Sequence, residues 1–76
     1  MFNRQIAAQN FIKRYGSDSF LRLIHLFGEG TSGEIIAKEF QVSRERIRQW
    51  RNIFGYNVSF YQVHPEVKHL MQLHNE

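Results

Sequence analysis

The sequence predicts an all-α fold: a small bundle of four to five short helices with an extended C-terminal segment. Three observations carry that expectation. Apolar residues recur at helical spacing through most of the chain. Capping residues and glycines punctuate that pattern at the length of short helices. Seven Phe, three Tyr and one Trp supply large buried surface to a chain of 76 residues, a size at which one core is only marginally sufficient.

Residues 2–15 (FNRQIAAQNFIKRY) read as a first helix with Ile6, Ala7, Phe11 and Tyr15 near one stripe. That register leaves Arg4, Lys13 and Arg14 outward, and Gly16 ends the helix. Ser17 or Asp18 is expected to cap a second helix, Phe20 to Phe27, ended by Gly28. Because it is apolar on nearly every side, it belongs at the centre of the bundle, and His25 within it is expected to be a satisfied core histidine. The Gly28–Gly30 stretch lacks the longer Gly-x-x-x-x-Gly-Lys frame of a phosphate cradle and reads as a loop.

Residues 31–54 (TSGEIIAKEFQVSRERIRQWRNIF) read as two short helices joined by a tight turn. Thr31 and Glu34 have the T-x-x-E spacing of a capping box, and Ile35, Ile36, Ala37 and Phe40 supply an inward face. Gln41-Val42 turns the chain, Gln41 being expected in the left-handed region, and Ser43 caps the next helix. In that helix Ile47, Trp50 and Phe54 fall on one stripe that must pack inward. Steps of about 100° put Glu45, Arg48, Gln49 and Asn52 outward, with Arg44, Arg46 and Arg51 on the flanks. Such side chains suit base edges and phosphates: Arg for guanine, Gln or Asn for adenine, Glu for the cytosine amino group. On its inward stripe, Trp50 is expected in the core rather than stacked on a base. Glu45 is expected to touch a base or orient a neighbouring Arg.

Beyond Gly55, Tyr56 to Val63 (YNVSFYQV) is rich in aromatic and β-branched residues and reads as a single extended segment. No second strand or following turn, as a winged helix would need, is visible. His64-Pro65 starts a last helix with Pro65 at its first position and Val67, Leu70, Met71 and Leu73 on its apolar face. The expected organisation is a bundle over residues 1–55 followed by residues 56–76 as a dimerisation tail. Phe60, Tyr61, Val63, Val67, Leu70 and Met71 exceed the obvious needs of a four-helix core, so a homodimer through residues 56–73 is expected.

Charge narrows the function. Arg44, Arg46, Arg48 and Arg51 with Glu45 carry +3, which is the formal net charge of the whole chain. Positive charge confined to one helix points to a polyanionic partner. There is no Cys, so disulfides and thiolate metal sites are excluded, and a reducing cytoplasm is the expected compartment. No apolar run approaches a membrane span, and the N-terminus lacks a signal-peptide pattern. His64, His69 and His74 are five apart, which does not align them on one helix face as i, i+4 metal ligands. With one Asp and no arguable nucleophile–base pair, the chain is not expected to be an enzyme, and no cofactor is implied.

Residues 31–54 resemble bacterial helix-turn-helix DNA-binding proteins. Ala37 stands where the first helix of such a unit needs a small residue, and Val42, Ile47 and Trp50 stand at its apolar positions. Within this unit VSRERIRQ (Val42 to Gln49) is similar to the recognition helix of region four of primary bacterial sigma factors. That likeness implies that Arg44, Glu45, Arg48 and Gln49 face promoter DNA. The expectation is therefore sequence-specific binding of double-stranded DNA by a bacterial or phage transcriptional regulator. Ser43 would sit at the mouth of the major groove. Arg44, Glu45, Arg48, Gln49 and Asn52 would read bases, and Arg46, Arg51 and Lys38 would hold phosphates. Two alternatives are the DNA-targeting module of a recombinase or transposase, and a sigma-like adaptor that binds RNA polymerase.

Overall fold

Short polar caps and glycines set the element boundaries. The computed structural model describes residues 3–74, and in them five helices and two short strands. In chain order these are α1 (Arg4–Tyr15), α2 (Ser17–Gly28), α3 (Gly33–Phe40), α4 (Arg44–Phe54), β1 (Gly55–Asn57), β2 (Tyr61–Val63) and α5 (Pro65–His74). Asn3 caps α1, its Oδ1 accepting from the Ile6 amide at 3.0 Å. Phe2, expected within that helix, lies outside the described residues. Gly16, at φ 95°, ends α1 and directly precedes α2. Neither Ser17 nor Asp18 caps α2, because Gly16 is already its N-cap and makes no side-chain bond. α2 runs through Gly28, and Gly30 at φ 72° makes the turn that follows.

The expected capping box at Thr31 and Glu34 does not form. Ser32 is the N-cap of α3, its hydroxyl accepting from the Ile35 amide at 3.3 Å. Two adjacent hydroxyl residues compete for that role. Thr31 loses because its own amide and carbonyl are engaged, the amide donating to the Leu26 carbonyl at 3.1 Å.

The core forms around α2, as expected: Phe20, Leu23, Ile24, Leu26 and Phe27 are all buried. His25 is the exception, exposed on that helix with Nε2 3.3 Å from Glu29, so it is not a core histidine. On α1 the inward residues are Ala8 and Phe11, with Ala7, Ile12 and Tyr15 half-buried; Ile6 is exposed, about 200° around the helix from Ala8. On α3 Ile36 and Ala37 are buried and Phe40 packs at the edge of the core, whereas Ile35 is exposed one step off that stripe.

After α4 the chain forms a hairpin rather than one extended segment. β1 pairs antiparallel with β2, Gly55 opposite Val63 and Asn57 opposite Tyr61. The ring of Tyr61 packs on Phe27 at 5.1 Å, and its hydroxyl donates to the Arg51 carbonyl at 2.7 Å. Burial holds the Tyr61 phenol above its ordinary pKa. α5 returns against α1 and α2, burying Val67 and Leu70, with Met71 half-buried. The side chain of Leu73 lies outside the described residues. Tyr61, Val67 and Leu70 therefore share one core with residues 8–54, and of the residues expected to make a dimer only Phe60 is widely exposed, beside Tyr56 and Val58.

Candidate nucleic-acid interface

α4 is fixed at both ends and along its inner side. Gln41, at φ 58° and ψ 45°, ends α3 in the left-handed region, and Val42 donates its amide to the Ala37 carbonyl at 3.1 Å. This sharp stop lets Ser43 open α4 two residues later, its hydroxyl accepting from the Arg46 amide at 3.1 Å. Ile47 and Phe54 are buried almost completely, and Trp50 meets Phe11 and Tyr15 edge-on at 4.8 and 5.7 Å. Trp50 is thus a core residue, as expected. At the far end Arg4 donates to the carbonyls of Asn52 and Ile53 at 3.3 and 3.1 Å, placing a cation on the negative end of the helix.

With that side seated, the opposite one is entirely polar. Glu45, Arg48, Gln49 and Asn52 are all exposed on it, and Arg44 and Arg46 are exposed on its flanks. Glu45 and Arg48 form a two-pronged ion pair, Nε donating at 3.0 Å and Nη2 at 2.6 Å. The guanidinium holds the Glu45 carboxyl below its ordinary range, and the carboxylate raises Arg48 in turn. Arg46 donates to Gln49 Oε1 at 3.4 Å. So Glu45 orients Arg48 in the free protein, and Gln49 is lightly held by Arg46. Both pairs lie at the surface, where solvent screens them and exchange for another partner costs little.

Arg51 sits differently from its neighbours. It is half-buried, donates to the Thr31 carbonyl at 3.2 Å and lies 5.2 Å from the centre of the Phe27 ring. Its donors face the loop before α3, so it ties α4 to that loop, a role that its flank position alone does not reveal. Lys38 is exposed near the end of α3.

Two grooves run beside the polar ridge. One is bounded by Ser32, Gly33 and Glu34 and by Arg44, Glu45 and Arg48. The other lies between α1 and α4, with Asn10 and Arg14 on one bank and Arg46 and Ile53 on the other. The helical register of α1 puts Arg14 outward, and the structure brings it beside α4. The signal available was the spacing of Ala7, Asn10, Phe11, Arg14 and Tyr15, which share one helix face. Among the described residues no group of three His, Asp or Glu could hold a metal ion, and no helix is long and apolar enough to cross a membrane. Comparison with family models, curated proteins and solved structures finds no match to this chain.

Proposed function

We propose that this chain binds double-stranded DNA by laying α4 in the major groove, as a helix-turn-helix transcriptional regulator of a bacterium or phage. The observation that carries the reading is the contrast across α4. Ile47, Trp50 and Phe54 anchor it in the core, while Arg44, Glu45, Arg48, Gln49 and Asn52 stand together in solvent. An α-helix with its side chains is about 10–12 Å across and the major groove about 12 Å wide, so such a ridge meets base edges over a few base pairs. Arg48 and Gln49 can pair with guanine and adenine, and Glu45 can accept from cytosine. The resemblance of Val42–Gln49 to the sigma-factor recognition helix implies a DNA role for four of these five residues, Arg44, Glu45, Arg48 and Gln49.

Selection of bound sites from a random duplex pool, followed by affinity measurements on the selected site, tests this. Arg48→Ala or Gln49→Ala is expected to cost about 1–3 kcal/mol on that site and to relax choice at one position. On random duplex, binding should fall steeply as salt rises, because phosphate contacts release counterions. Failure to bind any duplex at low salt, with the fold intact, would overturn the proposal and favour a role in which α4 meets a protein.

A further inference from the structure

The groove between α1 and α4 is lined by one arginine from each helix and by the rings of Phe11, Tyr15 and Trp50. Arg14 stands on the α1 bank with its guanidinium 5.5 Å from the centre of the Tyr15 ring. Arg46 stands on the α4 bank, 6.0 Å from the centre of the Trp50 ring. Asn10, one turn before Arg14, adds an amide to the same bank. Phe11 and Trp50 meet edge-on between the two helices. The rings back both guanidiniums, so less side-chain freedom is lost when an anion arrives than for an arginine in open solvent.

We propose that Arg14 and Arg46, with Asn10, grip the phosphate backbone of one DNA strand. This rests on the DNA-binding reading of α4. A helix filling a groove of nearly its own width has a sugar-phosphate strand along each flank. Arg46 lies on the flank of α4 turned toward α1, roughly 100° from the outward direction of Glu45. A strand on that flank passes over the α1–α4 groove, where Arg14 is the next cation. α1 is therefore a second DNA-contacting element, fixing the register of α4 without reading sequence.

The salt dependence of duplex binding tests this, measured by fluorescence anisotropy on the intact chain. Each phosphate contact contributes about 0.9 to the slope of log affinity against log salt. Arg14→Ala and Arg46→Ala should each shallow the slope by about that amount, and the double variant by about twice as much, with site preference unchanged. Lys68→Ala removes the same charge from the exposed side of α5 and should leave the slope as it is. If Arg14→Ala keeps the wild-type slope while Arg46→Ala shallows it, α1 does not touch DNA, yet α4 still does. If Lys68→Ala shallows the slope as much as Arg14→Ala, the effect is one of total charge and the assigned groove is wrong. If the wild type shows no salt-dependent duplex binding, the DNA reading and this inference fall together.

Discussion

Gln41 holds the left-handed backbone conformation that glycine adopts most readily, and it is the only non-glycine with positive φ among the described residues. Its Cβ there costs about 1 kcal/mol, part of which glycine would give back through its greater freedom in the unfolded chain. Gln41→Gly is therefore expected to leave thermal stability unchanged or raise it, by up to about 1 kcal/mol. A clear fall in melting temperature would show that the Gln41 side chain stabilises the turn. Glu45 gives a second test. Its carboxyl is held low first by the Arg48 hydrogen bonds, so the ionised pair stabilises the fold above the ordinary carboxylate value of 4.5 and is lost as pH falls through the lower folded value. Glu45→Gln should thus melt slightly earlier than wild type at neutral pH, and the gap should close below pH 4.5. On random duplex the same variant should bind modestly more tightly at low salt, since one negative charge beside the phosphates is gone. Unchanged random-duplex affinity would mean that the Glu45 side of α4 does not come close to the phosphates. Local chemistry of this kind was legible in the sequence at Ser43 and Gln41. It was not legible at Thr31 and Ser32, where two neighbouring hydroxyls offer the same cap and the hydrogen bonds of the Thr31 backbone to Leu26 and Arg51 decide.

At the scale of elements, α4 was readable because its two sides differ so sharply in composition that a 3.6-residue period fixes both at once. The hairpin was not, for a physical reason. Each strand is three residues long, and the loop between them (Val58, Ser59, Phe60) lacks the Asn-Gly or Gly-containing signature that marks tight hairpins. What holds it is tertiary: Tyr61 lies on Phe27, and the His64 amide donates to the Phe54 carbonyl at 2.9 Å. Gly55 is the tightest point of this junction. Its φ of −169° suits any residue, but a Cβ would run into the Gln62 carbonyl and the Tyr61 ring. Gly55→Ala is therefore expected to destabilise by about 1–3 kcal/mol, as overpacking does. Because β1 begins where α4 ends, loss of Tyr61 packing should loosen the Arg51 carbonyl as well. A variant that melts with wild type would show that the strands can separate freely without cost to α4.

For the whole molecule the question is what the chain after Gly55 does. A tail that served only to pair two copies would leave residues 1–55 as a folded monomer. The packing favours the opposite outcome. Tyr61, Val67 and Leu70 lie in the same core as Phe11, Phe27 and Phe54, and α5 packs against both α1 and α2. Burying side chains of this kind stabilises by about 1.5–3 kcal/mol each. Three of them together rival the lower end of the roughly 5–15 kcal/mol that holds a domain folded. A chain of 76 residues buries a smaller share of its surface than larger domains and has little stability in reserve. Truncation after Gly55 is accordingly expected to abolish the cooperative thermal transition seen by circular dichroism, and with it duplex binding, since α4 is held by the core that is lost. Replacing Val67 with Ala should move in the same direction by a smaller amount, about 1–3 kcal/mol, while leaving the fold measurable. A truncated chain that melts cooperatively near the wild-type temperature would show that α5 is an appendage, and in the intact chain the exposed Tyr56, Val58 and Phe60 of the hairpin would then be the place to look for a second copy of the chain.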